Sequence, residues 1–160
     1  MNWQEACEHT SLQNLPFKIE LDERGKIIMT PVKVNHSAYQ GEISYLLRSM
    51  LKQGRTLPEC AVGTRRGTKV ADTAWASRER FMRIVHETEC SVAPEICVEV
   101  ISPSSTEGEI NEKKELYFEN GAEEVWICTN DGDMNFYMAG KEIRRSVLAP
   151  EFPKKIELEF

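Results

Sequence analysis

The residue that most needs explaining is Glu99, a carboxylate inside the run VEVI, where Val98, Val100 and Ile101 predict deep burial. Burial strips hydration from a side chain, at ~2–7 kcal/mol even for an unpartnered neutral polar group, so Glu99 calls for a cation, a metal or a proton. Asp72 repeats the anomaly in VADTAWA, between small and apolar residues. One acid on each of two adjacent strands makes an oxygen-ligand site suited to magnesium or manganese, which prefer hard ligands and tolerate several bound waters. Lys113 and Lys114 lie on the helix that follows the Glu99 strand, at the edges of a stripe formed by Ile110, Leu116, Tyr117 and Phe118, and spacing alone leaves open which of them faces the sheet. Each residue also has an ordinary reading: a strand-end acid paired with arginine, a turn or capping aspartate, solvated lysines.

These positions depend on the elements around them. The segment through Asn14 has weak helical character, and FKIELDERGKIIMTP alternates and turns over at residues 22–25, the pattern of a β-hairpin. From Asn35, read as the N-cap, HSAYQGEISYLLRSMLKQ places Tyr39, Ile43, Leu46 and Met50 on one helical stripe, with Gly54 as the stop. A short strand over residues 57–62, the basic loop GTRRGTK and the strand VADTAWA come next, then a helical stretch over residues 78–88. Pro94 opens EICVEVI, apolar on both faces except for its acids, as in a central strand covered on two sides. SPSS ends it, Thr106 and Glu109 form a capping box, and the helix EGEINEKKELYFEN closes at Gly121. EEVWICT and MNFYMA are strands joined by a turn at Asp131 and Gly132, and a short extended piece follows Gly140. The order implies one α/β domain over residues 1–160, with a mixed β-sheet flanked by helices and an N-terminal hairpin.

Composition limits the classes of function. With 41% hydrophobic and 29% charged residues, the 160-residue chain is an ordinary globular one. No apolar run approaches bilayer length, and MNWQEACEHT carries acids where a signal peptide would be basic and then apolar, so the expectation is a cytoplasmic protein without membrane contact. Five scattered cysteines and three dispersed histidines argue against disulfides and a zinc site. A net charge of −6 argues against tight, nonspecific attraction to nucleic acid, although bound ions would restore a positive field at a carboxylate site.

The blocks GKIIMTP with His36, VADTAW, APEICVEVISPSS and EKKELYFENGAEEVWI together resemble the Uma-type family of restriction-endonuclease-like proteins, a branch of the PD-(D/E)xK nuclease superfamily. The likeness runs from the first hairpin to about Met138. It implies a restriction-endonuclease-like fold, phosphodiester hydrolysis and a nucleic-acid partner, DNA first, with a homodimer as one arrangement open to it. It also implies roles: Asp72 and Glu99 as metal ligands for Mg²⁺ or Mn²⁺, and Lys113 as the lysine that this branch carries on the helix, which selects it over Lys114. Ile101, where the superfamily usually has lysine, is the departure expected from that relocation. Ala71 replaces the proline that normally precedes the aspartate, and Glu109 stands where the branch usually has Asp.

On this reading Asp72, Glu99 and a carbonyl of Val100 or Ile101 would hold the ion, and Lys113 would orient and deprotonate an attacking water. Lesser candidates are Glu109, as a partner of Lys113 one turn away or a ligand of a second ion; His36, at the start of its helix; and Tyr117, a packing residue whose hydroxyl would steady the lysine. Arg65, Arg66 and Lys69 in the basic loop stand where phosphates would enter, or form a solvated charged turn. Trp75 and Trp126 read as core. Two other functions use the same residues: a nuclease-fold protein that binds or regulates nucleic acid without cutting, and a metal-free glycosidase with Asp72 and Glu99 as its acid and base, which would leave Lys113 without a purpose.

Overall fold

Every position of Ile96–Val100 is buried, which the alternation-free run of apolar residues demands of a strand covered on both faces. In the structure, a computed structural model describing residues 1–159, this strand lies inside a six-stranded sheet. A helix Trp3–Glu8 (α1) precedes the hairpin Phe17–Leu21 (β1) and Ile27–Pro31 (β2), which forms a separate two-stranded sheet. Then come Val34–Met50 (α2), Gly54–Thr64 (β3), Gly67–Ser77 (β4), Arg78–Ile84 (α3), Ile96–Val100 (β5), Glu107–Glu119 (α4), Glu124–Cys128 (β6), Met134–Met138 (β7) and Lys141–Ile143 (β8). The large sheet runs β3-β4-β5-β6-β7-β8, antiparallel except between β5 and β6, whose parallel pairing is made possible by the α4 crossover. The architecture is the α/β one that the sequence order implies.

The pleat sorts the core into two layers. Ile96, Val98 and Val100 pack with Trp126, Phe136 and the α2 residues Tyr39, Ile43 and Leu47, and Cys97 packs on the opposite face with Tyr117 of α4. Trp75 and Trp126 are core residues. Cys60 and Cys90, thirty residues apart in sequence, approach to 3.6 Å between Sγ atoms as free thiols.

Several boundaries differ from expectation. Helix α2 starts at Val34 with Lys33 in the cap position and no side-chain cap, because the Asn35 amide instead donates to Asn130 Oδ1 at 3.1 Å. Its buried line is Tyr39, Ile43 and Leu47, with Leu46 and Met50 only partly covered. Gly54 does not stop the helix, which ends at Met50; it opens β3, where a Cβ would lie 2.2 Å from the Ala76 carbonyl oxygen, so close approach explains the glycine. Strands β3 and β4 extend into GTRRGTK and leave only Arg65 and Arg66 as the turn, and α3 ends at Ile84. The Thr106–Glu109 capping box forms as expected, and Gly121, at φ +106, follows the end of α4.

Candidate active site

Strands β4 and β5 pair over only three residues, Thr73–Trp75 against Val98–Ile96, and then diverge. The next residues on the two strands are Asp72 and Glu99, and their carboxylates fill the fork. Asp72 Oδ2 accepts the Val100 N–H at 2.7 Å, and Glu99 Oε2 accepts the Asp72 N–H at 3.4 Å. On the other side of the fork the hairpin takes over the edge of β4, with Glu20 Oε2 accepting the Val70 N–H at 2.7 Å. Three buried acids, Glu20, Asp72 and Glu99, therefore meet where β1, β4 and β5 come together.

Cations meet them. Glu99 shares the Cys97 face of β5, and so looks toward α4. There Lys113 Nζ donates to Glu99 Oε1 at 2.7 Å and to Glu20 Oε2 at 2.8 Å. Lys114 is turned away, with its Nζ 3.7 Å from the centre of the Tyr137 ring, so the structure places Lys113, and not Lys114, against the acids. Lys18 of β1 enters from the hairpin, its Nζ 3.1 Å from Asp72 Oδ1 and 3.3 Å from Glu99 Oε2. His36, in the first turn of α2, brings Nε2 within 3.3 Å of Asp72 Oδ2. A cavity of about 560 Å³ opens onto this cluster, lined among others by Lys18, His36, Lys69, Asp72, Glu99 and Lys113.

The electrostatics follow from burial and pairing together. Burial opposes the charge on Asp72, but the Lys18 ammonium and the His36 bond outweigh it and hold the carboxyl well below its usual range. Glu20 behaves likewise, lowered against burial by Lys113 and Lys18. For Glu99 burial wins: its carboxyl is pushed up despite Lys113 and Lys18, with Asp72 and Glu20 adding repulsion. Burial also opposes the charge on Lys18, yet Glu99, Asp72 and Glu20 hold its ammonium well above the ordinary lysine range. The Asp72 bond raises His36.

Other expected site residues fall differently. Tyr117 is fully buried, and its hydroxyl donates to Glu99 Oε1 at 3.2 Å, so it steadies the glutamate and not the lysine. Glu109 does not pair with Lys113; it caps its own helix by accepting the Thr106 N–H at 3.3 Å, while facing the same cavity. Arg65 is held outside the cavity by Glu119 and Glu115, and Arg66 by Glu112 and Glu23. Lys69 is buried at the cavity wall, its Nζ 3.5 Å from the Leu21 carbonyl oxygen. Lys18 and Glu20 escaped the sequence reading. Their signal in FKIEL is weak: it puts both on one face of β1 and flanks Glu20 with Ile19 and Leu21, but the same alternation fits any half-exposed hairpin strand.

The Uma2 family profile, described as "Putative restriction endonuclease", matches residues 3–146. The chain belongs to the Uma2 family. Among solved structures it is similar to the crystal structure of a "putative nuclease belonging to DUF820" from Anabaena variabilis, with a TM-score of 0.74 and 20% sequence identity, covering 97% of this chain and 94% of that one. At that identity the likeness establishes the fold. No curated protein matches the chain.

The Uma2 assignment raises the question of whether these side chains suit a divalent ion. Among the described residues no three His, Cys, Asp or Glu side chains form a ready-made ion cage. Two hard oxygens, Asp72 Oδ1 and Glu99 Oε2, nevertheless already share one cation, the Lys18 ammonium. That stand-in makes the pair a fit for an ion held by two protein oxygens and completed by water, the manner magnesium favours.

Proposed function

We propose that this Uma2 protein is a metal-dependent nuclease that hydrolyses phosphodiester bonds in DNA, with Mg²⁺ or Mn²⁺ held by Asp72 and Glu99. The observation that carries the reading is the convergence of Asp72, Glu99 and Lys113 on one cavity. When bound, the ion would lower the pKa of a coordinated water and stabilise charge on the phosphoryl oxygens. Lys113 Nζ, fixed between Glu99 Oε1 and Glu20 Oε2, orients the attacking water. Tyr117 fixes the rotamer of Glu99 and His36 that of Asp72, so that neither carboxylate has to reorganise during reaction. Lys69 at the cavity wall meets the substrate's phosphates; Arg65 and Arg66 join it only by exchanging their glutamate partners for DNA.

Incubation with single-stranded, duplex and branched DNA in Mn²⁺, with and without EDTA, tests the reading. Cleavage by the unaltered protein, abolished by EDTA and by Asp72→Asn and strongly slowed by Lys113→Ala, is expected. Equal cleavage by all three proteins would defeat it. A second reading, a nuclease-fold protein that binds or regulates without cutting, draws support from the lysine that fills the ion's position. Under that reading Mn²⁺ leaves the melting temperature unchanged; under the first it raises it.

A further inference from the structure

The approaches to the two proposed ligand carboxylates are almost all taken. Asp72 Oδ2 is bound by the Val100 N–H and His36, and Glu99 Oε1 by Lys113 and Tyr117. Glu99 Oε2 also accepts the Asp72 N–H, a bond within the fork itself. The approach that Asp72 Oδ1 and Glu99 Oε2 share is filled by one group, Lys18 Nζ. That ammonium sits on a side chain only 13% exposed, with Glu20 Oε2 a third carboxylate oxygen at 4.0 Å.

Resting on the nuclease reading above, we infer that Lys18 is a built-in competitor for the divalent ion: its ammonium occupies the ion's position and has to withdraw before the ion can load. Size supports this. An ion about 2.1 Å from both oxygens would need the space in which Nζ now makes its two contacts. Charge supports it as well. Three carboxylates face two ammonium groups in the resting cluster, and removing Lys18 leaves an excess of two negative charges, the amount one divalent ion neutralises. Without either cation the acids would be buried against each other, so the lysine keeps the metal-free fork closed and folded. The consequence is regulatory: the site is stable without metal, and its ion affinity is set by the cost of displacing an internal lysine.

Calorimetric measurement of Mn²⁺ binding to the full chain, beside thermal melts with and without Mn²⁺, tests this in unaltered protein, Lys18→Met, Lys18→Gln and Asp72→Asn. The Lys18 variants are expected to bind Mn²⁺ roughly tenfold or more tightly, on the scale of changes beside a metal ligand, and to melt lower without metal but recover with it. The glutamine variant carries the test if the methionine one fails to fold. Equal or weaker Mn²⁺ binding by folded Lys18 variants, with binding lost in Asp72→Asn, overturns the competitor role and leaves the ion site standing. Binding that survives Asp72→Asn undiminished, or no binding by unaltered protein and Lys18 variants alike, overturns the ion site and the competitor together.

Discussion

Glu99 and Glu124 are both buried glutamates on neighbouring parallel strands, and they do opposite things. Glu124 is closed: its Oε1 accepts from Trp126 Nε1 at 2.9 Å and Ser146 Oγ at 2.7 Å, and its Oε2 from the N–H groups of Val147 and Leu148 at 3.1 and 2.8 Å. Its partners are neutral, three of them belong to the segment after β8, and the carboxylate pins that segment to the sheet. Glu99 accepts one backbone N–H, that of Asp72 at 3.4 Å, and is otherwise held by two lysines and a tyrosine beside a cavity. A buried acid saturated by fixed neutral donors is a fastener, whereas one held by long cationic side chains at an opening can exchange them for a ligand.

Substitutions at the two glutamates and their neighbours should separate these roles. Glu99→Gln should lower Mn²⁺-dependent DNA cleavage about 1,000-fold, since several kcal/mol of ion-derived stabilisation is lost at about 1.4 kcal/mol per tenfold, and the thermal response to Mn²⁺ should vanish with it. Retained cleavage would put Glu99 in the same class as Glu124. Lys113→Ala should cost about 100-fold in single-turnover rate while Mn²⁺ still raises the melting temperature. Glu124→Ala should act on stability alone, by about 3 kcal/mol in denaturant unfolding, because four donors lose their acceptor. Its cleavage per folded molecule should match that of unaltered protein, and a selective loss of rate would break the distinction. Lys114→Ala, which removes a contact with the Tyr137 ring, should cost no more than about 1 kcal/mol and leave cleavage unchanged.

The same pair of glutamates shows what could be read in the sequence. Glu99 stands out because VEVI surrounds it with apolar residues on one short strand, and its meeting with Asp72 follows from strand adjacency. Glu124 is as deeply buried, yet EEVWICT reads as a strand that merely begins with acids, because the donors that cover it come from Ser146 to Leu148, beyond β8. Lys18 and Glu20 were hidden for a related reason. Alternation in FKIEL is compatible with any half-exposed hairpin, and only the tertiary placement of β1 against β4 turns two polar positions into part of the cluster. Local signals carried further: the Thr106–Glu109 box and Gly121 bracket α4 from chemistry contained within a few residues. The basic turn misled in the opposite direction, since the glutamates that engage Arg65 and Arg66 include three from α4, far along the chain.

Where β4 and β5 part company, side-chain oxygens stand in for the missing rungs of the ladder: the Asp72 carboxylate receives the Val100 amide, and the Glu99 carboxylate receives that of Asp72. Glu99 Oε2 thus holds both a backbone amide and the Lys18 ammonium, whereas Asp72 divides the same two tasks between its oxygens. Loss of either acid would leave a buried backbone amide without its acceptor, so both are tied to holding the two strands together whatever else the site does.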